Sequence, residues 1–117
     1  MATLTAMDLV STYPDVQCYN YGSPRVGDVG FSAFAGTLMT DHWRVTNFKD
    51  CVPHLPEQPL GFKHVCTEEY EDGFGNLRTC NDTCEDKTCA DQWATWQYNC
   101  NDHDFYLGVC MYCASCN

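Results

Sequence analysis

Four histidines, His42, His54, His64 and His103, are the side chains of this 117-residue chain suited to acid–base work near neutral pH. Three of them sit where other duties are expected. His42 opens a β-prone run and reads as a surface residue. His54 lies in Val52-Pro53-His54-Leu55-Pro56, where a structural hydrogen bond is expected, and His64 shares a strand pattern with Phe62 and Cys66, which fits a satisfied core histidine. His103 differs. Asp102 and Asp104 flank it, and neighbouring carboxylates favour the imidazolium and make the ring a stronger base. Among the carboxylates Asp50 stands apart, because it follows the run 43–48 and catalytic groups in open α/β sheets gather beyond the carboxyl ends of strands. An aspartate that orients a histidine is the logic of a catalytic triad. The nucleophile is missing from this set. Ser11, Ser23, Ser32 and Ser115 all lie outside a G-x-S-x-G turn. Cys51 reads as half of a disulfide rather than as a reactive thiolate, and Glu68 and Glu69 read as solvated charge.

The cysteines form a second group. Ten in so short a chain is the density of a disulfide scaffold in an oxidising compartment, where thiols pair and staple loops. The candidates for pairing are Cys80, Cys84, Cys89, Cys100, Cys110, Cys113 and Cys116. Cys110-x-x-Cys113-x-x-Cys116 and Cys80-x₃-Cys84-x₄-Cys89 also carry a zinc reading. No histidine at finger spacing accompanies them, so disulfides are preferred and neither a metal nor an organic cofactor is expected. Asn81-Asp82-Thr83 is an N-glycosylation sequon, which makes Asn81 a glycosylation candidate on a surface loop.

The elements that must position these residues follow from composition and pattern. One small domain, 1–117, is expected, with a sheet and helix part at 1–70 and a Cys-rich segment at 71–117. A hydrophobic content of 44% supplies a core. The net charge of −10 excludes a general nucleic-acid binder, which needs basic surface to displace counterions. No apolar run has the roughly 18–20 residues of a membrane span. Residues 1–10 read as a helix without a capping residue in front of it, ended by Pro14. Residues 16–21 read as a strand and 22–27 as a turn-rich loop. Asp28 then caps a helix whose apolar face is Phe31, Phe34, Ala35 and Leu38, and 43–48 is the next strand. Strand, helix, strand with short connections is the βαβ pattern of a parallel sheet. Pro53, Pro56 and Pro59 exclude 50–61 from a ladder, and 62–70 is a third strand. Residues 71–92, with eight charged side chains and three cysteines, read as an irregular cross-linked surface segment. Asn101-Asp102 caps a short helix at 103–107.

Several stretches together resemble the fungal-type (class 3) lipases: Tyr21-Gly22-Ser23-Pro24-Arg25-Val26-Gly27, Arg44-Val45-Thr46, Asp50-Cys51-Val52-Pro53-His54-Leu55-Pro56, Gly61-Phe62-Lys63-His64, and Asp102-His103 with Tyr106 and Gly108. The resemblance covers nearly the whole chain, in order, and implies the C-terminal part of an α/β-hydrolase fold, β/α units of a mainly parallel sheet followed by a disulfide-rich tail. It implies Asp50 as the triad acid and His103 as the triad base, with His54 and His64 as supporting residues. The order Asp then His agrees with the hydrolase order Ser, Asp/Glu, His. It also implies a bridge among Cys80, Cys84 and Cys89. Cys51 departs from the family, which often has proline or an aliphatic residue there.

By the same resemblance, residues 2–9 look like the helix after the family's G-H-S-L-G-G turn, which puts the serine about five residues ahead of Met1. The oxyanion donors, the lid and a signal peptide are then expected in that missing part, and the chain as given is expected to be inactive alone. The implied activity of the intact protein is hydrolysis of acylglycerol carboxylic esters, including triacylglycerols, in lipid catabolism. It would act at a lipid–water interface outside the cell or in the lumen of the secretory pathway, with no nucleic-acid partner. A feruloyl or other carboxylesterase on the same scaffold, and a catalytically dead secreted disulfide-rich binding module, are the alternatives.

Overall fold

The computed structural model describes residues 1–81 and 83–112. Helix α1 (Ala2–Val10) is built from good helix formers and has no side-chain cap at its start. It leads into strand β1 (Cys18–Tyr21), where Cys18 and Asn20 point inward and Tyr19 and Tyr21 outward. A two-residue strand β2 (Gly27–Asp28) precedes α2 (Val29–Leu38), whose first turn is capped by Asp28 Oδ1 accepting from the Phe31 amide at 2.8 Å. Strand β3 (His42–Asn47) is buried along most of its length. Then come β4 (Phe62–Lys63), β5 (Glu68–Glu71), β6 (Leu77–Thr79), β7 (Phe105–Tyr106) and β8 (Val109–Cys110). Among the described residues, the loops between them carry five short 3₁₀ turns.

The main sheet has the order β1-β3-β5-β6. β1 runs parallel to β3 with Cys18 opposite His42, β3 runs parallel to β5 with Arg44 opposite Glu68, and β6 returns antiparallel. The expected third strand at 62–70 is therefore two elements: Phe62–Lys63 pairs with β2, and only Glu68–Glu71 enters the sheet. The expected irregular segment after residue 71 likewise contains a strand, β6. Gly73 and Gly75 make the hairpin before it possible, both at positive φ, while Asp72 Oδ1 accepts from the Phe74 and Asn76 amides.

The apolar core is small. Ala6, Cys18, Ala35, Met39 and Val65 form one cluster, and Tyr70, Cys80, Cys89 and Ala90 a second. The apolar face expected on α2 is narrower than its periodicity implies. Ala35 is buried, with Ser32 beside it, whereas Phe34 and Leu38 are exposed. Ser32 holds its place by donating to the His64 carbonyl.

Much of the remaining interior is polar. His42 is buried, not on the surface as expected. Its Nδ1 donates to the Cys66 carbonyl at 2.8 Å, and its Nε2 accepts from Thr3 Oγ1 and Asn20 Nδ2 at 3.2 Å each, tying α1 to β1 and β3. Burial pushes its pKa down, which suits a neutral ring in that role. Glu68, expected as solvated charge, is also buried. It accepts from Arg44 at 3.0 Å, from Thr46 Oγ1 at 2.7 Å and from the Ala90 amide at 3.2 Å. Arg44 is itself buried, and that burial lowers its pKa against the pull of Glu68.

Three disulfides close within the described residues, Cys51–Cys100, Cys66–Cys84 and Cys80–Cys89, and Cys110 is also disulfide-bonded. Of the bridge implied among Cys80, Cys84 and Cys89, the Cys80–Cys89 pair is present, while Cys84 pairs with Cys66. Cys80, Cys89 and Asp86 converge as a metal-like group, but both sulfurs are in a disulfide and offer no thiolate. The zinc reading at Cys80, Cys84 and Cys89 is thereby corrected. Cys113 and Cys116, the rest of the tail cysteine pattern, lie outside the described residues. Cys18 is a buried free thiol. Among the described residues, no helix is long and apolar enough to cross a membrane.

Removing the charge of Glu68 leaves Arg44 buried without its counter-ion. Glu68→Gln is expected to lower unfolding stability by about 3–5 kcal/mol in denaturant titration, while Glu69→Gln, on a half-buried side chain, costs under about 1 kcal/mol.

Candidate active site

The parallel register brings the carboxyl ends of β1, β3 and β5 to one edge of the sheet, and the candidate residues collect there. β3 ends at Asn47. Phe48 then turns the chain at φ +39, an uncommon backbone state for a bulky residue. Its ring is held by edge-on contact with Trp93 at 5.1 Å, and Lys49 Nζ sits 4.6 Å from the Trp93 ring centre. Two residues later Asp50 points back into the protein, 2% exposed.

Three donors satisfy the Asp50 carboxylate. The Val52 amide reaches Oδ1 at 2.8 Å from the 3₁₀ turn Val52–His54. His103 Nδ1 lies 2.8 Å from Oδ2, and the Tyr106 hydroxyl also donates to Oδ2. Burial, reinforced by the Asp50 charge, pushes the Tyr106 phenol far above its ordinary pKa, so it remains a donor. The His103 side chain is 38% exposed, and its Nε2 has no hydrogen-bond partner among the described residues. The ring is thus held by one nitrogen and presents the other.

His103 is carried by the 3₁₀ turn Cys100–Asp104, capped by Asn99. The strand end grips that turn. Asn47 Nδ2 donates to the Asp102 and Phe105 carbonyls at 3.0 and 2.7 Å, and the Asn99 amide donates to the Lys49 carbonyl at 2.8 Å. The Lys49 amide reaches Asp102 Oδ2 at 3.3 Å. The carboxylate of Asp102 therefore faces Lys49 and Asn99 rather than the His103 ring, and burial raises its pKa. The expectation that Asp102 acts on the ring is corrected: the carboxylate in contact with the ring is that of Asp50. From β5, Glu71 Oε2 accepts from the Leu107 amide at 2.8 Å and fixes the β7–β8 turn. Asn47 and Glu71 carried no motif and went unnoticed in the sequence; their signal was only their place at strand ends.

Gly22 completes the packing. It follows β1 at φ +60, and a Cβ there would lie 2.5 Å from the Tyr106 hydroxyl and 2.6 Å from the His103 ring. Only glycine allows β1 to end so close to the pair.

The other histidines serve elsewhere. His64 is buried, its Nε2 donates to the Pro53 carbonyl at 2.7 Å, and burial holds its pKa well below the usual histidine range. His54 is buried and stacks on Tyr98 with ring centres 4.0 Å apart. Its Nδ1 lies 3.6 Å from Asp91, whose pKa is driven far down, first by His54 and further by Lys87 and Gln58. Both histidines brace the loop after Asp50. Arg25 joins them by a paired contact to Glu85 and by donating to the His54 and Pro56 carbonyls. The described serines are occupied: Ser11, Ser23 and Ser32 donate to the carbonyls of Asp8, Pro24 and His64. Ser115 lies outside the described residues. Asn81 is exposed, and its Oδ1 accepts from the Thr83 amide and hydroxyl at 3.0 and 2.6 Å.

Gly22→Ala is expected to cost about 2–4 kcal/mol, from the positive φ and from the clash with two side chains. It should also displace the His103 ring, which NMR of the imidazole would report; a variant with native stability and an unmoved ring contradicts the packing.

The chain as a whole is similar to known proteins. The family profile described as lipase (class 3) matches residues 1–60. A lipase of Rhizopus niveus is 30% identical over 95 residues, covering 76% of this chain and 24% of that protein. A secreted mono- and diacylglycerol lipase A of Penicillium cyclopium is 39% identical over 69 residues, covering 58% of this chain and 22% of that protein. The triacylglyceride lipase structure from Rhizomucor miehei superposes with a TM-score of 0.84 at 27% identity, over 93% of this chain and 43% of that one. The chain spans about a quarter of the length of these curated relatives and less than half of the solved structure.

Proposed function

The chain belongs to the class 3 lipase family, and from that premise we propose that Asp50 and His103 are the acid and base of a serine-hydrolase triad that cleaves carboxylic esters of acylglycerols. One observation carries the reading: a buried carboxylate holds His103 by Nδ1 and leaves Nε2 without a partner among the described residues, on a side chain that is partly exposed. That arrangement selects the tautomer with the proton on Nδ1, so Nε2 is the basic nitrogen.

In the reaction, His103 Nε2 takes the proton of the attacking serine hydroxyl. The imidazolium that results is stabilised by the Asp50 carboxylate, which stays ionised while Tyr106 and the Val52 amide share its charge. The same Nε2 then gives its proton to the leaving alcohol. In deacylation it takes one from water, whose oxygen attacks the acyl carbonyl, and returns it to the serine. The serine and the oxyanion donors are proposed to belong to the part of the lipase fold these residues do not span. An apolar rim fits an acyl substrate: Phe74, Phe105 and Leu107 are exposed around a cleft of about 650 Å³ that Asp102, the residue before His103, also lines. The disulfides, and the sequon at Asn81 as a glycosylation site, fit a protein of the secretory pathway or the exterior.

The test is turnover of an acylglycerol by a longer protein that joins this chain to the serine-bearing part of the fold. His103→Ala and Asp50→Asn should each lower kcat by about 10⁴-fold with the melting temperature retained. His64→Ala should instead lower stability, and the 117-residue chain alone should not turn over a short-chain nitrophenyl ester. A folded His103→Ala protein with near-normal kcat overturns the assignment. A feruloyl ester cleaved in preference to an acylglycerol transfers it to the esterase alternative, and a wholly inactive longer protein to the dead binding module.

A further inference from the structure

Cys51 follows Asp50 directly, and Cys100 precedes His103 by three residues; the two are joined. We propose that the Cys51–Cys100 disulfide is a positioning device for the acid–base pair: it clamps the turn bearing His103 to the strand end bearing Asp50 and so keeps His103 Nδ1 on the carboxylate. The proposal rests on the triad reading above.

The need for a clamp comes from what lies under the turn. None of residues 91–104 is buried, and this stretch has only short 3₁₀ turns. The nearest buried ring, Tyr106, follows the turn in β7. Besides the Asp50–His103 contact and the edge-on Tyr106 ring, what fixes the turn is a few hydrogen bonds, from Asn47 to the Asp102 and Phe105 carbonyls, from the Lys49 amide to Asp102, from the Asn99 amide to the Lys49 carbonyl and from the Met111 amide to the Asp104 carbonyl. A segment with so few buried side chains of its own depends on such contacts against local opening, and each opening would part His103 from Asp50. The covalent link limits how far the turn can move, and it acts within three residues of both partners.

The other disulfides do something different. Cys66–Cys84 and Cys80–Cys89 close inside residues 66–89, and Cys80 and Cys89 are buried in the second apolar cluster. They hold the Cys-rich segment on β5 and β6 and touch neither triad residue. Cys51 and Cys100 instead line an open cavity of about 520 Å³ with His54, Leu55 and Tyr98, and Cys100 is exposed. A reductant reaches this bond while Cys80–Cys89 is shielded.

The experiment follows the Nδ1 proton of His103 by NMR in the full 117-residue chain, comparing it with the Cys51→Ser/Cys100→Ser double variant. Amide protection in β1, β3 and β5 reports the fold separately. The expected result is that the core amides keep their protection while the Nδ1 proton exchanges with water at least about tenfold faster, or is lost. An Nδ1 proton with the native exchange rate in the folded variant overturns the proposal. Should the variant not fold, the same signal is read on the native chain after limited reduction by a water-soluble phosphine. There the disulfide gains two electrons and two protons to give the Cys51 and Cys100 thiols, and the phosphine takes oxygen from water to become its oxide. Peptide mass mapping identifies the opened pair. If the core amides are lost in both samples, the disulfide holds the whole fold rather than the pair, and the proposal fails. None of these readouts depends on turnover: an inactive longer protein with an intact, disulfide-dependent His103 proton would refute the triad reading alone.

Discussion

A carboxylate removed from water must be compensated, and the site is organised around that demand at Asp50. Its compensation comes from three directions in sequence: the amide two residues on, a histidine 53 residues on and a tyrosine 56 residues on. Satisfying it therefore requires that the end of β3, the 3₁₀ turn at Cys100–Asp104 and β7 meet. The strained Phe48, the glycine at position 22 and the grip of Asn47 on Asp102 and Phe105 all serve that meeting. What emerges is a histidine oriented by a group that cannot easily move, since any displacement leaves a buried charge short of a partner.

A second constraint is the size of the apolar core. Two clusters of five and four buried residues cannot order so many loop residues by themselves. Buried polar contacts and cross-links make up the difference. Arg44 with Glu68 joins β3 to β5, Arg25 with Glu85 joins the loop after β1 to the Cys-rich segment, and His42 joins α1 to both neighbouring strands. Lys49, between the aromatic rings of Phe48 and Trp93, adds a cation over each face. Such interiors are specific because each polar group has few alternative partners.

The sequence made the parallel β/α unit legible because strand, cap and helix signals are local. Asp28 as a cap, the proline-rich loop after Asp50 and the strand at 43–48 could all be read within windows of a few residues. Strand β6 could not, because its pairing with β5 follows from a hairpin whose glycines resemble any loop. Burial of Glu68 and His42 was illegible for a related reason: a charged or titratable residue reads as surface until its partners are brought alongside, Arg44 by the sheet register and Thr3 and Asn20 by the packing of α1 on β1 and β3. At the site, motif resemblance named Asp50 and His103, which the structure brings into contact, while adjacency pointed to Asp102. Asp102 is next to His103 in sequence, yet its oxygens face the Lys49 amide and Asn99.

In the proposed reaction His103 Nε2 is the nitrogen that exchanges the proton with a serine nucleophile. This role is tested most directly by the crystal structure of a longer protein carrying that serine, trapped as its phosphonate ester. The expected structure has His103 Nε2 within hydrogen-bonding reach of the phosphonylated serine oxygen, about 2.6–3.2 Å, with Nδ1 still on Asp50. A phosphonylated serine that lies against His54, His64 or no histidine at all would contradict it.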